Sequence, residues 1–156
     1  MIELQGYRQD FFEDLMKFEL PQEQQAFTAM PREVLELALR DENRYPVVIV
    51  NEGEAVGFFV LHLHSELAER LSNPKAVLLR ALSVNHKHQG QGYAKQAMRK
   101  LPELVKQFFP DQEEIVLAVN EKNAAGRQLY SRCGFEDLGH RNTGRSGLQF
   151  ILHYKL

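Results

Sequence analysis

The chain has 156 residues, 44% hydrophobic and 26% charged, with a formal net charge of −2. That length suits one core, so residues 1–156 are expected to form a single domain. The charge balance gives no basic footprint for nucleic acid, and no run approaches the roughly 20 apolar residues of a membrane span.

The single cysteine, Cys133, excludes an internal disulfide and a cysteine-rich zinc site. It reads as a small packing residue. Met1-Ile2-Glu3-Leu4-Gln5 lacks the basic and apolar regions of a signal peptide, so cytoplasmic residence is expected.

Met1 to Leu4 suits a short first strand. Gln9 to Leu20 carries Phe11, Phe12, Leu15, Met16 and Phe18 at helical spacing, and Pro21 ends that pattern. Pro31 starts a second helix with Val34, Leu35, Ala38 and Leu39 as its stripe. Tyr45 to Val50 and Ala55 to His64 form a hairpin about the turn Asn51-Glu52-Gly53-Glu54. Ser65 to Pro74 is a polar connection with room for one helical turn. Val77 to Val84 is apolar on both faces, which fits a strand covered by helices on each side.

Gly92 to Leu101 places Ala94, Ala97, Met98 and Leu101 on one stripe, and Leu104, Val105 and Phe108 resume it beyond Pro102. The proline is expected either to kink that helix or to end it near Lys100 and start another. Glu114 to Asn120 is a strand and Asn123 to Cys133 a helix. Phe135 to Leu138 and Leu148 to Leu156 close the chain as an antiparallel pair, with Thr143 to Gly147 in the loop. The helix between the strands at Val77 and Glu114 is expected to join parallel neighbours by a right-handed crossover.

The organising stretch is Val77 to Leu104, where strand, glycine-rich turn and helix follow one another. The first amides of a helix lack internal partners and can donate to a phosphate. Glycines let backbone approach the ligand closely. The P-loop spacing is absent, and Lys95 stands where a dinucleotide fingerprint needs its third glycine. What remains is Gln-x-x-Gly-x-Ala at Gln89, Gly92 and Ala94. Taken alone, an ordinary strand-to-helix turn fits it as well.

A second segment adds to the first: Asn123, then Gly126, Tyr130, Gly134 and Phe135. Together the two resemble the GNAT superfamily of acyl-CoA N-acyltransferases. Its patterns are Arg/Gln-x-x-Gly-x-Gly/Ala and Asn-x-x-Ala-x-x-x-Tyr-x-x-x-Gly-Phe, in this order. The resemblance is specific from Val77 to Phe135. Gly126 departs from it by replacing the usual alanine.

The resemblance implies an α/β (α+β mixed) fold with a central mixed sheet of six to seven strands flanked by helices. Two central strands splay at a β-bulge, and the pantetheine arm of acetyl-CoA lies in the gap. It implies that Gln89, Gly90, Gln91, Gly92, Tyr93, Ala94 and Lys95 wrap the pyrophosphate, and that Leu82, Ser83 and Val84 meet pantetheine. Asn123 would help orient its helix at the coenzyme as well as cap it, and Asn120 would line the same groove. Tyr130 would be the general acid, because a phenol with pKa near 10 stays protonated and can donate to a thiolate.

A general base cannot be carried over, since Arg80 and Ala81 stand where many members of the family have a carboxylate. Glu66, His62 and His64 are alternatives by rough position, and water could also take the proton. His62 and His64 would share a strand face, but no third metal ligand accompanies them, so no metal is expected. Arg80 inside an apolar strand needs a partner, either an internal carboxylate or an acidic group on the substrate. In the second case a highly cationic polyamine is a less natural acceptor.

The expected function is acetyl transfer from acetyl-CoA to the primary amine of a small molecule. A non-catalytic coenzyme-A-binding module and a protein or peptide N-acetyltransferase are the alternatives. The expected partners are acetyl-CoA and an amine, with a homodimer as an option and neither nucleic acid nor membrane.

Overall fold

A computed structural model describes residues 1–156, and the apolar runs of the sequence form one sheet. The strands are β1 (Ile2–Gly6), β2 (Arg44–Asn51), β3 (Glu54–His62), β4 (Ala76–Val84), β5 (Glu114–Asn120), β6 (Glu136–Gly144) and β7 (Gly147–Lys155). The helices are α1 (Phe12–Met16), α2 (Gln22–Gln25), α3 (Pro31–Arg40), α4 (Glu66–Arg70), α5 (Tyr93–Phe108) and α6 (Ala124–Arg132). The sheet order is β1-β2-β3-β4-β5-β7-β6, with β4 and β5 parallel and the other neighbours antiparallel.

Strand alternation sends Phe59, Leu61, Val77 and Leu79 to one face, where α5 buries Ala97, Met98, Leu101 and Val105 against them. Each larger side chain there stabilises the fold by about 2 kcal/mol relative to exposure. On the opposite face Phe58 and Val60 meet α1 and α3, while Ala76 and Leu78 meet α4. The seven-stranded mixed sheet between helical layers is the architecture the resemblance implies.

Several boundaries differ from expectation for physical reasons. The helix expected from Gln9 to Leu20 is a 3₁₀ turn at Gln9–Phe11 followed by α1, and it stops at Met16. Tertiary bonding takes the remainder: the Glu19 amide donates to Asn85 Oδ1 at 3.0 Å, and Glu19 accepts from the His86 amide at 2.8 Å. Helix α2 lies in a polar run that carries no apolar stripe. Leu39, expected on the buried stripe of α3, is 55% exposed. Strand β3 ends at His62, and His64 sits in a turn with φ +56°, so the two histidines do not share a strand face. Strand β6 continues to Gly144, past the expected end at Leu138. It is a polar edge strand, so no alternation marks it.

Pro102 lies inside an unbroken α5 of 16 residues, so the expectation of two separate helices is overturned. Its ring is buried on the sheet side, and it offers no N–H to the Met98 carbonyl. Pro102→Ala removes a penalty of roughly 3 kcal/mol. It also loses about two buried methylenes, ~0.8 kcal/mol each, and loosens the unfolded chain. A net gain on the order of 1 kcal/mol is expected, seen as a rise of about 2–4 °C in Tm. A lower Tm would mean the helix is built around its proline.

Candidate functional site

Strands β4 and β5 pair only through Ala76, Val77 and Leu78, opposite Glu114, Ile115 and Val116. Beyond Leu78 they separate. On its other side β4 stays paired with β3, but its register slips: Phe58 faces Ser83 while Val60 faces Arg80. The slip is a bulge at Ala81, whose φ of +57° is a left-handed conformation that costs a non-glycine residue about 1–2 kcal/mol.

The bulge aims the edge of β4. The Asn85 amide donates to Val56 O at 3.0 Å, so alternation directs Leu82 and Val84 away from β3. Their carbonyls confirm the direction. Leu82 O accepts from Thr28 Oγ1 and Val84 O from Gln89 Nε2, each at 2.9 Å. The amides of Leu82 and Val84 therefore point into the gap that β5 leaves.

That gap is a cavity of about 420 Å³. At one end is the turn before α5. Gly90 and Gly92 both have positive φ, +80° and +79°, which turns successive amides inward. None of the six amides from Gly90 to Lys95 donates to another group of the chain. The Gln89 side chain is committed to Val84 O and to Gln24 Oε1, at 2.9 Å each. It fixes the turn from behind, and its amide donates to His86 O. The result is a preformed cradle for an anion at a helix N-terminus.

Helix α6 supplies the facing wall. Asn123 caps it by accepting from the Gly126 amide at 3.0 Å. A Cβ on Gly126 would stand 2.5 Å from Asn123 Nδ2, so the alanine usual in the pattern would need the Asn123 side chain to shift. One turn later comes Tyr130, its ring edge-on to Phe135 at 5.7 Å. Its hydroxyl makes no hydrogen bond within the chain, and the residue lines the cavity. Burial, then the Cys133 thiol, pushes the Tyr130 pKa well above the ordinary phenol value, so the group stays protonated. Burial likewise raises the Cys133 thiol, against the nearby Arg99 and Lys95, which disfavours a thiolate nucleophile.

Arg80 lies on the cavity wall beside the bulge. Its Nη1 lies 3.2 Å from His62 Nδ1. A guanidinium only donates, so Nδ1 is the acceptor and the ring proton sits on Nε2. Burial, then the Arg44 and Arg80 charges, hold the His62 pKa below the ordinary histidine value, with Asp41 and Glu66 opposing. His62 is thus neutral at pH 7 with its acceptor nitrogen already engaged, which makes it a poor base.

The unfolded chain binds more protons than the folded one between the two His62 pKa values. This contribution to stability is fully present above about pH 6.5, the ordinary value, and is lost as pH falls through the folded one. An NMR titration of His62 is expected to give a midpoint below 6.5; a midpoint at or above it would contradict the assignment.

The family model for the acetyltransferase (GNAT) family matches residues 8–135. The chain belongs to the GNAT acetyltransferase family. It is 45% identical over 156 residues to the Uncharacterized N-acetyltransferase YbbJ of Bacillus subtilis (strain 168), covering 99% of this chain and 98% of that protein. Its fold is similar to that of the aminoglycoside acetyltransferase AAC(6')-Ib in complex with coenzyme A. There the TM-score is 0.81 at 18% identity, covering 99% of this chain and 95% of the other. It is also similar to the spermidine N-acetyltransferase from Vibrio cholerae in complex with CoA and spermine. That match has a TM-score of 0.74 at 15% identity, covering 99% and 95% of the two chains. As a GNAT acetyltransferase the protein is an acetyl-CoA-dependent enzyme, an N-acyltransferase by class.

Most of the GNAT residues picked out in the sequence share this cavity. Leu82, Ser83, Val84, Gln89, Gly90, Gly92, Tyr93, Ala94, Lys95, Asn123 and Tyr130 all line it. The Ser83 hydroxyl is buried without a partner. Tyr93 Oη links Gln91 and Asn51, donating to Gln91 Oε1 at 3.1 Å and accepting from Asn51 Nδ2 at 3.0 Å. Gln91 itself stands outside the lining. So does Asn120, which is 5% exposed and donates to Ser146 O at 3.0 Å, steadying the β6–β7 turn.

No periodic pattern marks the wall made by Leu20, Gln24, Phe27 and Thr28. It is tied down from a distance, by Thr28 to Leu82, by Gln24 to Gln89, and by Ser146 Oγ donating to Ala26 O at 2.8 Å. A lone Phe27 in a glutamine-rich run is the only local hint. No helix of the chain is long and apolar enough to cross a membrane.

Proposed function

We propose that residues 1–156 act as one domain that transfers the acetyl group of acetyl-CoA to the primary amine of a small molecule by direct attack on the thioester. The observation that carries this reading is a single cavity. Five lining residues with unpartnered amides, Gly90 and Gly92 to Lys95, stand at one end, the Leu82 and Val84 amides run along its side, and Tyr130, whose hydroxyl is unbonded within the chain, lines it too.

The residues fit the co-substrate. Gly90 to Lys95 would hold the pyrophosphate through their amides. The open edge of β4 would hold the pantetheine amides as a neighbouring strand would. One amide of that edge would donate to the thioester oxygen as negative charge develops there. The amine nitrogen attacks the carbonyl carbon, a C–N bond forms, the C–S bond breaks, and Tyr130 gives its proton to the departing sulfur. No carboxylate side chain lines the cavity, and its one histidine, His88, is bonded to Glu54 Oε1 at 3.0 Å beside the glycine turn. Water therefore takes the proton from the amine and resupplies Tyr130.

The tied-down segment of Leu20 to Thr28 supports a small acceptor over a peptide, because it walls one side of the cavity and is held there by hydrogen bonds. The test is thiol release from acetyl-CoA across a panel of small amines and of peptides. Saturable release with a small primary amine, well above hydrolysis and above every peptide, is expected. Tight acetyl-CoA binding without amine-dependent release would sink the proposal.

A further inference from the structure

The charge on the cavity wall says what kind of amine belongs there. Two cations line the wall, Lys95 at the glycine turn and Arg80 beside the bulge, with no Asp or Glu among the lining residues. Reading back along β4 from the turn, Val84 and Leu82 come first and Arg80 next, on the far side of the bulge at Ala81. Arg80 thus stands past the edge proposed to hold pantetheine, where the acceptor must approach the thioester.

Arg80 is not neutralised from within. It forms no ion pair within 4.0 Å, and its one side-chain hydrogen bond is to His62. Burial, then the nearby Arg44 charge, lower the Arg80 pKa from the ordinary guanidinium value, and Glu66 opposes them without reaching it. Asp41 is already bound to Arg44 at 3.0 Å. Four of the five guanidinium N–H groups have no acceptor in the chain, and His62 holds the group in place. A cation fixed beside an acceptor site recognises a carboxylate, through two parallel hydrogen bonds where the geometry permits. A polyamine or an aminoglycoside would bring further positive charge to a wall without counter-charge.

We infer that the acceptor is a carboxylate-bearing small amine of the amino-acid type, with Arg80 binding its carboxylate and orienting its amine toward the thioester. This rests on the acetyltransferase reading above. It also separates the chain from two of its fold neighbours, whose solved complexes hold kanamycin and spermine.

The experiment compares amino acids with their matched amides, and both with spermidine and kanamycin, as rates per concentration of neutral amine. The wild-type protein is expected to favour each acid over its amide by about tenfold or more in kcat/KM, the worth of one charge-assisted hydrogen bond. In Arg80→Gln that ratio is expected to fall close to one with acetyl-CoA affinity unchanged. Arg80→Lys, which keeps the charge, is expected to retain part of it. An acid-to-amide ratio unaffected by Arg80→Gln, or a wild-type preference for spermidine or kanamycin, overturns the inference and leaves the acetyltransferase reading standing. Acetyl-CoA binding with no turnover of any amine overturns both.

Discussion

Tyr130→Phe is expected to lower kcat by about 10² or more, the usual worth of a placed general acid. The substitution isolates one atom. The ring keeps its edge-on packing against Phe135, and the lost hydroxyl has no partner in the chain to leave unsatisfied. Stability and acetyl-CoA affinity should therefore stay near wild type, which separates a lost proton donor from a damaged fold. Burial keeps the phenol protonated well beyond neutral pH, so its ionisation should contribute no alkaline limb to kcat near neutrality. The same partial burial raises the proton affinity of a departing thiolate, which helps transfer from so weak an acid. Full turnover by the variant, under conditions where chemistry limits the rate, would remove Tyr130 from the mechanism.

Gly92→Val should act on binding instead. A Cβ at Gly92 meets only Gln96 Nε2, at 3.9 Å, so it projects from the cradle without striking the protein. The φ of +79° is costly for a β-branched residue, and relaxing it would turn the neighbouring amides away from a common centre. Losing one or two charge-assisted hydrogen bonds from the cradle weakens acetyl-CoA by about 10²-fold. Calorimetry reads that loss directly, and a thermal melt reports the cost of the strain separately. Unchanged affinity would place the pyrophosphate elsewhere.

The two variants fall on the parts of the site that were legible in the sequence. A glycine turn between an apolar strand and an amphipathic helix is local, and local geometry fixes which amides are free. The Asn123-to-Phe135 segment is legible for the same reason, since cap, tyrosine and glycine sit at set offsets on one helix. Arg80 was visible as an oddity in an apolar strand, but its lack of a carboxylate partner needed the neighbours of β4, which only the fold supplies. Asn120 looked like a groove residue by position. Its side chain instead holds the β6–β7 turn, a bond spanning 26 residues.

The wall from Leu20 to Thr28 was barely legible, with Phe27 its one local hint. Nothing in Gln22-Glu23-Gln24-Gln25 signals a helix worth burying, and the segment is held by single hydrogen bonds to partners more than fifty residues away. Periodicity also overran at Gln9 to Leu20. There the apolar spacing is helical, but Asn85 and His86 capture Glu19 and draw the chain out of the helix. At Pro102 burial of the apolar stripe of α5 outweighs a single local defect, and the helix continues.

The gap between β4 and β5, with its glycine cradle, is the proposed acetyl-CoA site. Amide hydrogen exchange of the full chain with and without coenzyme A tests it most directly. The amides of Gly90 to Lys95 have no partner in the protein and should exchange fast when it is free. On adding coenzyme A they should become protected, together with Leu82 and Val84. Binding that leaves all of these unprotected and slows exchange elsewhere, or no binding at all, would contradict the account.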